Sequence, residues 1–446
     1  MKTQGMWHAC AALILTIACV VGSPARAQVS DSVIEASFFQ YKNGGPNVPA
    51  VKPGMVIAKD NVESVKEYLN PSMFMFIKNG ATTLKVAETF DFAPSPKYLE
   101  ATRKNTDVGF EANGNLKNYI SGRPFPKEPD LKDPQAGVKL AWNYQYGRVW
   151  GDLGCINPFI WDFKNYETGK VERSIVYDKF CLKRYAFKTT DEPVPEATPN
   201  PSGLYRGIYV RVASPNDLKD TQLLIHKYKD DTKTLDAWLY LGFQRRVRRL
   251  PTGQLTDAFL GTDIMIEDFE GYEGKVGDVT WTYKGTKMML TPFWDRSKVP
   301  DKGKQHTIKT PEGGTWEFTG FTGKGGCHQA APFQLRKTYV LEGVPKDPSH
   351  PVSKRIHYMD AQTSELGITE IYDRKGDLWK EFIIGWVHPE KGADPLAAGS
   401  GADIGDSFSM IDVQAGHCTT GFFRGQVRPD LTPDSTFSLQ NMRGSS

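Results

Sequence analysis

Beyond about residue 147, apolar and polar positions alternate along most of the chain. Successive side chains on a strand point to opposite faces of a sheet, so this rhythm predicts half-buried strands. It is clearest over residues 204–213 (LYRGIYVRVA) and 220–228 (DTQLLIHKY), with Asp230-Asp231 as the turn that follows. Residues 173–177 and 180–187 flank an Asp-Lys turn and are expected to pair. Further strands are predicted over 277–283, 287–290, 306–310 and 316–318, then 336–344, 354–359, 367–373 and 377–386. The spacing fits a meander of long antiparallel strands, uninterrupted by any repeat or linker. Residues 28–150 read differently. Lys59-Asp60-Asn61 opens a helix whose apolar face is Val62, Val65 and Leu69, and Asn70-Pro71 is its expected end. Met73 to Ile77 is a short apolar run, 84–90 reads as strand and 98–105 as helix, while 138–147 fits either. The stretch 28–150 is taken as an irregular and partly helical extension packed on the sheet.

One stretch organises the rest, Lys233 to Glu273. A strand is expected over 235–248, apolar where it begins and basic where it ends. A turn with Pro251 and Gly253 follows. An acidic segment then carries Asp263, Glu267 and Asp268.

Composition agrees with strands and turns: the 446 residues include 42 Gly and 29 Pro. With 24 Phe, 18 Tyr and 10 Trp, a sizeable core is available. The net charge of +3 is spread along the chain, which argues against a nucleic-acid partner. Residues 1–27 read as a secretory signal, with Lys2 as its positive end, an apolar stretch from Ala9 to Val21, and Ala25-Arg26-Ala27 as the cleavage site. A lipid anchor on Cys19 is the alternative. Export removes Cys10 and Cys19 and leaves Cys155, Cys181, Cys327 and Cys418. In an oxidising compartment these are expected to form two disulfides, with three connectivities open. The favoured pairs are Cys155 with Cys181 and Cys327 with Cys418, each within one segment of similar character. Gly326-Cys327-His328 and Gly416-His417-Cys418 mirror each other, and a zinc site of two Cys and two His is conceivable. Neighbouring strand residues face opposite ways, however, so no metal is expected.

Several runs together resemble a known family. They are Arg245-Arg246-x-Arg248-Arg249-Leu250-Pro251, Asp257 to Asp263 and Glu267-Asp268, then Tyr358-Met359-Asp360 and Glu370-Ile371-Tyr372-Asp373. They resemble outer-membrane lipoprotein-sorting proteins of the LolA/LolB type. Gly122-x-Pro124-Phe125-Pro126 and Leu140-Ala141-Trp142-Asn143 narrow the likeness to the domain-of-unknown-function 1329 family of proteobacterial periplasmic proteins. The resemblance covers about residues 50–440. It implies an α+β fold, mainly β, in which a large curved antiparallel sheet or open half-barrel is covered by a few helices. It implies one such domain over 28–446, in the periplasm or associated with the outer membrane. It also implies an apolar hollow that takes a lipid or other hydrophobic molecule. The partners implied are a resistance-nodulation-division transporter and an outer-membrane protein.

Candidate chemistry is sparse. Arg245, Arg246, Arg248 and Arg249 lie close in sequence to Asp263, Glu267 and Asp268. The plainer reading is a salt-bridge set pinning the connection after the strand. The functional reading is a docking or head-group site, in which Arg grips a carboxylate or phosphate. Paired-acid catalysis needs a fixed separation, which nothing here supplies. Trp238 with Tyr240, Trp281 with Tyr283, and Trp316 with Phe318 sit two apart, so each pair shares a sheet face. They form ordinary core or the wall of a ligand hollow. There is no Gly-x-Ser-x-Gly elbow, P-loop or His-Glu-x-x-His. The expectation is a carrier without cofactor or enzymatic activity. The alternative is an adaptor joining a transporter to an outer-membrane protein, and a hydrolase ranks below both.

Overall fold

A computed structural model of the chain describes residues 28–188, 196–300, 302–427 and 432–444. The expected signal segment 1–27 lies outside these, as does part of the Pro-rich loop at 190–202. Sixteen strands make one sheet. In chain order they are β1 (Val56–Ile57), β2 (Leu84–Ala87), β3 (Leu153–Asn165), β4 (Val171–Arg184), β5 (Leu204–Ser214), β6 (Gln222–Tyr228), β7 (Asp236–Leu241), β8 (Arg246–Arg249), β9 (Val279–Thr291), β10 (Phe293–Trp294), β11 (Phe333–Pro345), β12 (Val352–Asp360), β13 (Leu366–Asp373), β14 (Leu378–Val387), β15 (Ile404–Asp412) and β16 (His417–Val427).

β1 and β2 join the sheet at one edge, where β2 pairs parallel with β11, and the chain then passes to the middle of the sheet. β3 to β8 meander outward to the opposite edge. A non-sheet connection then carries the chain back toward the first edge, where β9 pairs with β11. β11 to β16 meander back, and β16 pairs antiparallel with β3, from His417 opposite Asn165 to Val427 opposite Gly154. β14 and β6 are far apart in this order. Trp386 and Ile225 nevertheless belong to one buried apolar cluster, so the sheet curls around it. The architecture is the expected α+β arrangement, a large open curved sheet with few helices.

Alternation assigns the two faces. On β14, Phe382, Ile384 and Trp386 point into the hollow. Ile383 and Val387 point outward, beneath Val62, Val65, Met73 and Ile77. Further segments lie over the sheet or against one another. Phe437 and Met442 lie over the outer face of β3 to β7. A small hairpin, Thr307–Lys309 with Thr315–Glu317, lies over Ile160 and Phe422. Helix α1 (Asp31–Phe38) packs with α3 (Pro96–Arg103) through Phe38 and Tyr98. Helix α4 (Ala136–Gln145) crosses β9 at Gly137, where a Cβ would come within 2.4 Å of the Trp281 carbonyl oxygen. The run 138–147, which fitted either helix or strand, falls mostly within this helix.

Four local expectations need correction. Residues 173–177 and 180–187 do not pair across a turn: Val171–Arg184 is the single strand β4, paired with β3 and β5, and Asp178-Lys179 marks an irregularity within it. The strand expected over 235–248 is a hairpin, because the chain turns at Gly242 to Arg245 and β8 folds back on β7. Gly242 abuts the Lys219 carbonyl, where a Cβ would stand 2.4 Å away, and Arg245 is left-handed with φ 49°. The first helix ends before Asn70-Pro71 as expected, but 62–68 is a 3-10 segment, and Pro71 also opens a second helix, α2 (Pro71–Lys78), that absorbs the apolar run. Proline suits the first helical turn, whose N–H groups lack partners. The runs at 277–283 and 287–290 are parts of the single strand β9, with a bulge between Tyr283 and Gly285.

Candidate functional site

The connection from β8 to β9 passes through the hollow as a strap. Leu260 (φ 53°), Gly261 (φ 74°), Glu270 (φ 58°) and Gly271 (φ 109°) are left-handed, which breaks the strap into short 3-10 turns. Between Pro251 and Gly277, the backbone–backbone hydrogen bonds of the described residues close within the strap itself. It therefore adds no strand to the sheet.

Apolar contact and buried charge hold it in place. Leu255, Phe259, Ile264, Ile266 and Phe269 pack into the wall formed by β3 to β6 and β14 to β16. The Phe269 ring lies 5.4 Å from Phe180 and 6.2 Å from Trp161, and Phe259 lies 6.2 Å from Trp161. Arg355 on β12 donates to Glu267 at 2.8 Å and to Asp268 at 3.1 Å, while His350 Nε2 lies 3.1 Å from Glu267. Burial alone would raise the Glu267 carboxyl, but Arg355 and His350 outweigh it and hold it at about 2. Burial pushes Asp268 above its ordinary range in spite of Arg355. Asp263 is pushed up to about 6 by burial, with Thr419 and Lys380 opposing. Its Oδ2 accepts from Thr419 at 2.8 Å, and its carbonyl accepts from Lys380 Nζ at 2.6 Å. At the strap's far end, Arg206 pairs with Glu270 (2.7 Å) and with Glu273. Lys227 Nζ donates to the carbonyls of Glu273 and Gly274 at 3.1 and 2.8 Å.

The strap nearly fills the hollow. The space left between Trp150, Phe159, Trp161, Phe269, Phe408 and Phe423 is about 40 Å³. Ligand pockets run to roughly 300–1,000 Å³. A larger cleft of about 570 Å³ opens at the mouth, between the start of β7 and the ends of β9 and β11. The strap's Leu255, Ile266, Glu267 and Tyr272 form one wall of it, facing Leu235, Val279, Pro345 and His350.

The residues singled out from the sequence fall in separate places. Trp238 and Tyr240 share a face, but it is the outer one, under Phe437 and Met442. Trp316 also lies outside, stacked 3.8 Å from the Arg296 guanidinium. Trp281 and Tyr283 pack with Tyr339, Leu341 and α4, and Trp281 Nε1 donates to the Val276 carbonyl at 2.9 Å. The salt-bridge set expected between the Arg cluster and the acids does not form. Arg249 pairs with Asp236, while Glu267 and Asp268 take Arg355. The hairpin ends β8 outside the hollow and the strap dives within it, so nearness in sequence becomes distance in space. The three carboxylates share no open space either: Glu267 borders the mouth, Asp268 the inner cavity, and Asp263 neither. The disulfides are Cys155–Cys181 and Cys327–Cys418, the favoured pairs. His328 bonds Tyr166 at 3.0 Å and His417 packs on Phe163. Sequence reasoning missed Arg355, and it missed the aromatic wall of Phe159, Trp161, Phe408 and Phe423. The i, i+2 spacing of Phe159 and Trp161 was the available signal for part of that wall.

Residues 56–443 match the model of a protein family of unknown function, DUF1329. The chain belongs to the DUF1329 family. An uncharacterised protein of Pseudomonas aeruginosa is 25% identical to this DUF1329 protein over 344 residues, which cover 74% of this chain and 68% of the relative. Two crystal structures are similar at lower identity. A DUF1329 family protein from Desulfovibrio piger is 15% identical with a TM-score of 0.46, covering 70% of this chain and all of its own. A putative outer membrane lipoprotein-sorting protein domain from Vibrio parahaemolyticus is 16% identical with a TM-score of 0.44, with the same coverage. Among the described residues of the DUF1329 chain, no helix is long and apolar enough to cross a membrane.

Proposed function

We propose that this DUF1329 protein is a periplasmic carrier that binds a lipid or other hydrophobic molecule in the hollow now filled by its strap. The observation that carries the reading is the pairing of an aromatic wall with a cover that, among the described residues, makes no backbone–backbone hydrogen bond to it. Apolar surface removed from water is worth about 25 cal/mol per Å². A cargo that takes the place of Phe259, Ile264, Ile266 and Phe269 recovers the burial that the strap gives up. The charged groups freed at the same time regain water, which offsets part of the loss. The cleft at the mouth is the natural point of entry, since the strap is one of its walls. The two disulfides fit an exported protein. Movement of cargo between inner and outer membranes, with a resistance-nodulation-division transporter and an outer-membrane protein as partners, is part of the same proposal.

The filled hollow favours a second reading, a non-enzymatic adaptor between those two membrane proteins. One measurement separates the two. The protein is purified from the periplasm without detergent, and its organic extract is analysed by mass spectrometry. A stoichiometric hydrophobic molecule supports the carrier and names its cargo class. An empty extract, repeated after incubation with membranes, leaves the adaptor.

A further inference from the structure

The hairpin of β7 and β8 lies at one edge of the sheet; Ala237 and Leu239 of β7 pack into the hollow, while its turn and β8 lie outside. At its turn Phe243 is 72% exposed, the most exposed large apolar side chain among the described residues. Arg245, Arg246, Arg248 and Arg249 follow it, all exposed. Arg249 is held by Asp236, and among the described residues the other three guanidinium groups have no ion pair or hydrogen-bond partner. The neighbouring turn adds exposed Lys219 and one carboxylate, Asp220, whose Cβ lies beside Gly242, while Asp217 is occupied by Arg173. Val247 alone of the β8 side chains turns back onto the protein, against the cluster beneath Phe437.

We infer that this hairpin is a docking surface for the anionic phosphate plane of a phospholipid membrane, with the Phe243 ring entering the interfacial layer and Arg245, Arg246 and Arg248 on the phosphates. Basic residues on an edge strand also discourage pairing with another chain. That role does not account for an exposed phenyl ring at the tip, which works against solubility. An acidic protein partner would satisfy the guanidinium groups, but a single ring on a protruding turn lacks the extended aromatic core of a protein interface. A ring with cations around it matches the chemistry of a bilayer surface, apolar a few ångströms below a layer of negative charge. Guanidinium groups bind phosphate through paired N–H donors, which favours Arg over Lys here. The inference stands apart from the carrier proposal, since it concerns where the protein rests and not what fills it.

The test is co-sedimentation of the full protein, with no cargo added, on vesicles of phosphatidylcholine alone and of phosphatidylcholine mixed with phosphatidylglycerol. Binding is expected on the mixed vesicles only, and added salt should reverse it. Each arginine near an anionic surface contributes about fivefold. Replacing Arg245, Arg246 and Arg248 by Ala together should therefore lower partitioning by about a hundredfold. Phe243→Ser should lower it about tenfold. Leu131→Ser, an exposed apolar residue on the N-terminal extension, should change nothing. Equal binding to neutral vesicles, no binding to either, or a triple variant that sediments like the parent would overturn the inference. Salt dependence of the parent is read without any variant, so misfolding cannot mimic the result.

Discussion

The two faces of the curved sheet are both apolar and both covered, but the covers are fastened by different chemistry. On the outer face, the segment containing Cys327 is joined to β16 by a disulfide, and Ser409 on β15 donates to the Cys327 carbonyl. Next to it, the N-terminus of α2 sits on two buried glutamates, Glu370 and Glu381, through Ser72 and Asn70. On the inner face, among the described residues, the strap has no covalent tie to the wall and no ladder hydrogen bond. Its fastenings are Arg355 with Glu267 and Asp268, Lys380 with Asp263, and Arg206 with Glu270 and Glu273. Buried ion pairs contribute little net stability, because the charges would be well solvated if released together. A cover fastened in this way is set in register by its charges, and the main cost of its leaving is the apolar burial of Phe259, Ile264, Ile266 and Phe269, which another apolar molecule can replace. On the proposed carrier reading, the outer covers stay and the inner one gives way to cargo.

The largest expected effect breaks that comparison at its strongest pin. Arg355→Ala leaves Glu267 and Asp268 buried without their cation. Removing one partner of a buried pair is destabilising by about 3–5 kcal/mol. Urea unfolding should show a loss of that order. Hydrogen exchange should rise across residues 255–273 while α2 and β16 keep their protection. Uniform exchange across both faces would mean that the strap is no looser than the outer covers, and the contrast drawn above would fall.

Much of this fold is legible in the sequence, and what is not has identifiable causes. The runs 204–213, 220–228, 354–359 and 367–373, in which polar residues recur among β-branched and aromatic ones, announce β5, β6, β12 and β13. β15 and β16 do not, because every residue of Ile404–Asp412 is buried and polar side chains such as Asp406, Ser407 and Ser409 are sealed beneath the covers. The strap was visible as an acidic, turn-rich stretch. Its destination was not, because a carboxylate in sequence does not say which distant arginine will meet it. Arg355 lies 87 residues from Asp268 and sits in a strand that reads as half exposed. The aromatic pairs show the remaining limit. Spacing says that Trp238 and Tyr240 share a face, and it cannot say which face, since a shift of one residue exchanges the two.

The outer face can be probed through pH. Glu381 lies opposite Glu370 across β14 and β13, and burial pushes its carboxyl up to about 7, with bonds from Ser72 and Asn70 opposing. The ordinary value applies in the unfolded chain, about 4.5. Below that pH both states hold the proton and the full stability is present. As pH rises toward 7 the unfolded chain releases its proton first, so stability falls, by about 3 kcal/mol in all, and then levels. Glu381→Gln should flatten this portion of the stability profile and leave exchange in the strap unchanged. A profile that keeps its slope in the variant would show that Glu381 is not the group responsible.

The smallest expected change in stability carries the sharpest information about location. Trp161 lies in the hollow beside Phe269, and Trp238 lies on the outer face under the C-terminal helix. Exchanging either for Phe keeps an apolar ring and should alter stability by less than about 1.5 kcal/mol. A fatty acid brominated along its chain quenches only the indoles it touches. If cargo replaces the strap, quenching of the parent protein should lose amplitude in Trp161→Phe and keep it in Trp238→Phe. The strap must move for this to happen, so the quenching phase should be faster in Arg355→Ala than in the parent. The reverse pattern, with the signal lost only in Trp238→Phe, would place the hydrophobic molecule beneath the C-terminal helix. The strap would then be a permanent part of the core, and its buried charges would serve to fix its register alone.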